Sequence, residues 1–182
     1  MRFPLQHKLD LPCVFEQIVA GRLHADGRRY LPLIVLRPTG DGAPEALRLG
    51  VVDRHHRVRE QDLGRAGSAR LVWALSALRL QTATRRRGLD AEATLRAGEP
   101  STAPRAFAEV LEVAAWEVAR EELPYERLYA ELLLNIGFGM VGLRTSLTAP
   151  DLVAAVGAAK VAPGDFVELT RSRIDILGFE SE

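Results

Sequence analysis

Lysine is almost missing from this chain. Lys8 and Lys160 are the only two, so nearly all of the 24 basic side chains are arginines. A GC-rich coding bias is the plain explanation for that preference. Cysteine occurs once, at Cys13. One thiol excludes an intrachain disulfide, fits a reducing cytoplasm, and without a CxxC partner argues against a thiolate zinc site. Aromatic residues make up only 6% of the chain, which limits any surface that must stack bases. Long apolar runs are lacking too. Even "LYAELLLNIGFGMVGL" is interrupted by Glu131 and Asn135, so neither a membrane span nor a membrane partner is expected. The first twelve residues, "MRFPLQHKLDLP", have no apolar stretch and no small-residue cleavage site. A secretion signal is therefore not expected, and the cytoplasm is the expected location.

What is present is the composition of a globular protein, with 47% hydrophobic and 26% charged residues among 182. That suits one domain, or one domain with an appendage. Net charge is zero, yet unevenly spread. Residues 1–100 carry 17 Lys and Arg against 11 Asp and Glu, and residues 101–182 carry 7 against 13. The asymmetry suggests a basic face for an anionic partner, or two halves that attract each other.

The pattern predicts an α+β fold with three parts. Residues 1–81 read as a β-rich domain. "CVFEQIVAGRL" and "RYLPLIVLRP" are strands around the hairpin dipeptide Asp26-Gly27. "ALRLGVVDR" and "RVREQ" suggest a further strand pair, and the early part of "SARLVWALSALRL" another strand. Residues 82–103, with three consecutive arginines, read as a linker holding a short helix capped by Asp90 and stopped by Gly98. Residues 104–182 read as a helical section. Phe107, Val110, Leu111, Ala114 and Val118 recur at helical spacing, and Pro124 opens a second helix with Leu128, Leu132 and Leu133 as its stripe. A capping box at Thr148 and Asp151 opens a third, running to Lys160. "APGDFVEL" and "RIDILGF" then form a closing hairpin that rejoins an antiparallel N-terminal sheet, for which a barrel is one form. No internal repeat is visible.

Three stretches invite chemistry. In "NIGFGMVGL", Gly137, Gly139 and Gly142 spell the G-x-G-x-x-G of a dinucleotide loop. This short stretch resembles the opening of nicotinamide-dependent sugar-nucleotide dehydrogenases, which would make the chain an NAD(P)-binding enzyme. The flanks disagree: helical spacing precedes the motif and Pro150 follows too soon for a long helix. The expectation is that these glycines end a helix, so no cofactor is assigned. "DRHHRVRE", residues 53–60, pairs His55 and His56 among three arginines. Neighbours on a strand face opposite ways and the arginines repel cations, so a polar turn is expected rather than a metal site, with an anion still able to bind. No serine lies in a G-x-S-x-G elbow, Glu117 and Glu121 read as a solvated face, and no catalytic set emerges.

The third stretch is "VAGRLHADGRRYLP", residues 19–32. It resembles the first hairpin of single-stranded-DNA-binding proteins of the OB-fold class, in which a "GRL…D…RY.P" pattern crosses a strand, a turn and the next strand. The resemblance implies a small, strongly bent β-barrel that binds nucleic acid on one face, with Arg22, Arg28, Arg29 and Tyr30 at the matching positions. Further cations at Arg54, Arg57, Arg59, Arg85, Arg86 and Arg87 supply the positive groove that a phosphate backbone requires. Phe15 and Trp73 read as core. The expected function is therefore non-enzymatic binding of nucleic acid, single strands preferred. The alternative is an oligomeric assembly module in which acidic helices of one subunit meet the basic sheet of another.

Overall fold

The computed structural model describes residues 5–74, 77–117, 128–145, 161–170 and 173–182, with Ala154 and Gly157. Eleven strands form one sheet that closes on itself. β1 (Leu11–Val19), β2 (Leu33–Pro38) and β3 (Leu49–Val52) are an antiparallel meander. β4 (Ala66–Ala74) pairs back on β1, and β11 (Arg173–Ser181) joins β4 to β3, closing a five-stranded barrel. Closure removes every free edge from these strands.

The chain between β4 and β11 builds a second ring. β7 (Arg105–Glu117), β8 (Leu128–Asn135) and β9 (Met140–Thr145) form another meander. β10 (Phe166–Thr170) pairs with β7 and with β5 (Ala77–Leu80), while β9 runs parallel to β4. β6 (Gly88–Asp90) adds to the outside of β7. One ribbon serves both rings. Ala74 faces Arg173 and, three residues further along each strand, Ala77 faces Thr170, so β4–β5 and β10–β11 keep a single register.

β1 and β7 share one local feature. β1 has a bulge just after Phe15, and β7 has one just after Val110. The Phe15 amide donates to Arg65 O (3.0 Å) and its carbonyl accepts from Gly64 (2.7 Å). Val110 makes the same pair with Asp165 and Gly164, both at 2.8 Å. Gly64 and Gly164 each hold a left-handed φ, +81° and +91°, which a side chain would strain. β11 completes the first barrel, whereas β5 pairs only with β10, at the end of the sheet path.

The helical section expected over 104–182 is corrected by these pairings: residues 105–117, 128–135, 140–145, 166–170 and 173–181 are strands. In β7, Ala106, Ala108 and Val110 alternate into the core, and the bulge then shifts the phase, imitating helical spacing. In β8, Leu132 and Leu134 enter the main core while Leu133 joins a smaller cluster with Leu5, Leu9 and Val72 on the other face. A strand buried on both faces reads as a continuous apolar run, and sheet pairing overrides the helix propensity of its Ala, Glu and Leu. The helix expected over 148–160 falls outside the described residues apart from Ala154 and Gly157.

Smaller corrections follow the same topology. The "RVREQ" stretch is loop leading into a 3₁₀ turn at Glu60–Asp62, not a strand. β10 and β11 are strands as expected, but they do not form a hairpin; β11 alone rejoins the N-terminal sheet. No helix lies within 82–103. Instead, Glu92 accepts from the Ser101 hydroxyl and the amides of Thr102 (3.2 Å) and Ala103 (2.8 Å), folding that loop back on itself. Burial tends to raise the Glu92 carboxyl, but these bonds outweigh it and leave it below its usual value. Phe15, Trp73 and Cys13 are fully buried, and burial pushes the Cys13 thiol up to about 12, where it is inert. No helix among the described residues is long and apolar enough to cross a membrane.

Candidate nucleic-acid interface

Register decides which arginines meet. Leu33 faces Val52 across β2 and β3, so the β1–β2 loop (20–32) and the β3–β4 loop (53–65) leave the same end of the first barrel. Arg22, Arg28, Arg29 and Tyr30 lie on the first loop, and Arg54, Arg57 and Arg59 on the second; all are exposed. The β2–β3 turn, entered after Pro38, is at the opposite end. Arg86 and Arg87 line a cleft with Asp41 and Gly42 of that turn. The structure thus brings seven of the ten expected residues to one end and leaves Arg85, Arg86 and Arg87 at the other.

The β1–β2 loop is a short ribbon projecting past the barrel. Tyr30 N donates to Arg22 O (2.9 Å), and His24 N to Arg28 O (2.7 Å). Gly27 turns the tip with φ +84°, while the Arg28 amide donates to the Asp26 carboxylate at 3.0 Å. The expected Asp26-Gly27 turn is therefore present. Tyr30 meets the His24 ring edge-on, with centroids 5.6 Å apart. Arg29 reaches only the Gly21 carbonyl, at 3.5 Å. Arg22 and Arg28 have no carboxylate partner among the described residues.

The β3–β4 loop is organised by one buried carboxylate. Asp53, 4% exposed, accepts from the amides of His55 (3.3 Å) and Arg57 (2.9 Å) on Oδ1 and of Val58 (2.9 Å) on Oδ2. This wrap holds His56 at φ +51°, a conformation that side chains resist. His55 and His56 therefore sit on a turn, and no group of three metal-ligating side chains occurs among the described residues. Arg59 pairs with Asp62 at 3.5 Å, and Arg54 with Asp175 at 3.6 Å.

Apolar exposure coincides with these loops. Four large hydrophobic side chains are exposed among the described residues: Leu23, Tyr30 and Leu31 on the first loop and Leu63 on the second. The other leucines and aromatics whose burial is described are covered. An end that combines bare apolar groups with exposed guanidiniums offers both a stacking surface and a cationic track.

Arg85, Arg86 and Arg87 are engaged differently. Arg86 stacks over Phe107 at 4.1 Å and pairs with Asp90; Arg87 pairs with Glu109 and lies 5.5 Å over Phe166, as does Arg85. Ion pairs and ring contacts account for Arg86 and Arg87 without a ligand.

The glycine stretch is a β-hairpin turn. Ile136 N donates to Gly139 O (3.1 Å), joining β8 to β9, and Gly137 holds φ +98°. A Cβ on Gly139 would stand 2.6 Å from the Leu11 side chain, so that glycine serves the close approach of β1. A strand, not a helix, follows the motif, so its amides lack the helix N-terminus that a pyrophosphate loop uses. The expectation that these glycines end a helix is corrected as well, because Leu128–Asn135 is a strand.

Sequence reasoning did not find Asp53, whose buried carboxylate shapes the second loop, or the exposed Leu23, Leu31 and Leu63. Nor did it find Arg144 and Arg173, which register alone brings beside Arg54 and Arg57. No family model, curated protein or solved structure matches the chain.

Proposed function

We propose that the protein binds single-stranded nucleic acid, without catalysis, at the loop end of its first barrel. The observation that carries this reading is the placement of exposed apolar groups, including Tyr30, at the same end as Arg22, Arg28 and Arg57, which have no carboxylate partner among the described residues. Single strands are held by a cationic groove for phosphates and apolar or aromatic platforms for bases. The placement of residues 20–32 also supports an OB-class reading: they join the first two strands of a five-stranded closed barrel, and in OB-folds that loop contacts oligonucleotides. A buried, inert Cys13 is compatible with a reducing cytoplasmic setting.

The test is a fluorescence-anisotropy titration of a labelled deoxythymidine oligonucleotide at low salt. Submicromolar binding that competes with unlabelled single strand but poorly with duplex is the expected result. Absence of binding at low salt would refute the reading.

Assembly is the second reading, favoured by the same exposed Leu23, Leu31 and Leu63. Its acidic helices do not exist among the described residues, so the contact would be an apolar loop end docking on another copy. A stable oligomer that ignores the oligonucleotide would select it.

A further inference from the structure

Between the β3–β4 loop and the ribbon lies a cleft of about 530 Å³. Its wall carries Arg54, His55 and Arg57 from the first barrel, Arg144 from the end of β9 in the second, and Arg173 and Asp175 from β11. We propose that this cleft binds a phosphate group of a nucleotide-sized ligand, either a phosphodiester of a bound strand or a free phosphorylated small molecule.

The charges of the wall favour an anion. Four guanidiniums and one carboxylate, Asp175, line the cleft, and Arg144 is also engaged by Glu131. Arg173 grips the Asp175 carboxylate through Nε and Nη2, both at 2.9 Å, and Arg54 approaches it at 3.6 Å. Arg144 donates from Nε to Glu131 at 3.0 Å, a carboxylate buried beneath the wall and fully out of solvent. Burial pushes the Glu131 carboxyl up, and Arg144 partly offsets this. Arg57 has no carboxylate partner among the described residues and stays exposed. A metal cation would be repelled here, whereas phosphate oxygens match guanidinium N–H groups in charge and geometry.

The wall is also built before a ligand arrives. Asp53 holds the Arg54–Arg57 turn through three amide bonds, and the pair between Arg173 and Asp175 fixes the opposite side. The volume falls within the range of small-molecule sites. Arg57 supplies the uncommitted charge. Arg54 can shift from Asp175 toward the phosphate while Arg173 still holds that carboxylate.

The test uses the full chain with two probes, inorganic tripolyphosphate followed by thermal shift and a deoxythymidine oligonucleotide followed by anisotropy. Tripolyphosphate at saturating concentration is expected to raise the wild-type midpoint by about 2–4 °C, and Arg57→Ala to abolish the rise. Arg57→Lys keeps the charge and is expected to retain part of it. Circular dichroism confirms that both variants fold. If the strand supplies the phosphate, Arg57→Ala also weakens oligonucleotide binding about tenfold and tripolyphosphate competes with the strand. If only tripolyphosphate binds and Arg57→Ala removes it, the site stands with a free ligand as its source, and the single-strand reading fails. No tripolyphosphate shift in the wild type, or one unchanged in Arg57→Ala, overturns the phosphate site whatever the oligonucleotide does.

Discussion

Arg79 and Arg105 in the second barrel both reach Glu168, whereas Arg22, Arg28 and Arg57 at the loop end of the first reach no carboxylate among the described residues. Arg79 holds Glu168 through Nε and Nη2, both at 2.8 Å, and Arg105 adds a third contact. Because Glu168 faces Arg79 on β5 and Phe107 on β7, this cluster ties three strands together. The bonds from Arg79, reinforced by Arg105, hold the nearly buried Glu168 carboxyl at about 2. The same residue type therefore does two jobs. Beside Glu168 it ties strands together; on the loops of the first barrel Arg22, Arg28 and Arg57 stay exposed and reach no carboxylate among the described residues.

The comparison breaks most visibly at Glu168. Glu168→Gln is expected to cost roughly 2–3 kcal/mol at neutral pH, read as a clear fall in thermal midpoint, with oligonucleotide affinity unchanged. Its pH dependence has a definite sign. The folded value lies below the ordinary 4.5, so the contribution is complete above that pH and is lost as pH falls toward 2. Acid denaturation of the wild type should steepen across that window, and Glu168→Gln should flatten it. A variant as stable as the wild type would remove the structural half of the comparison.

Next in size is the triple substitution of Arg22, Arg28 and Arg29 by alanine. Oligonucleotide affinity should fall roughly 30- to 100-fold at low salt, while stability stays within about 0.5 kcal/mol. Tyr30→Ala should weaken binding about tenfold, the value of one lost stacking platform. The smallest effect belongs to Arg86→Ala and Arg87→Ala. Each is expected to change affinity less than about twofold, and to lower stability by roughly 0.5–1 kcal/mol through lost ring and ion-pair contacts. A larger binding loss there would move the interface to the opposite end of the barrel.

How much of this was legible in the residues follows from where local signals matched the topology. The Asp26-Gly27 turn, β1 to β4 and the closing strands are visible because alternation and turn chemistry agree with the pairing. β7 and β8 were not, because a bulge breaks the period of one and burial on both faces erases the alternation of the other. The likeness of the two bulges is hidden for a related reason. Phe15 and Val110 occupy equivalent bulges, as Arg65 and Asp165 occupy equivalent turns, yet their side chains differ in kind. Backbone bonds preserve the arrangement without preserving the residues. Of the site, the arginines and Tyr30 could be named from spacing and resemblance. Their division between two ends, and the meeting of Arg57 with Arg173, depend on register across more than one hundred residues.

The central claim is that the loop end of the first barrel holds a single strand through its arginines, and salt tests it most directly. Affinity for the deoxythymidine oligonucleotide should be measured from about 20 to 300 mM monovalent salt. If five or so arginines contact phosphates, log affinity should fall linearly with log salt at a slope of roughly −3 to −4, and the triple arginine variant should show a shallower slope. Affinity that stays constant across that range, or a slope unchanged in the variant, would contradict the account.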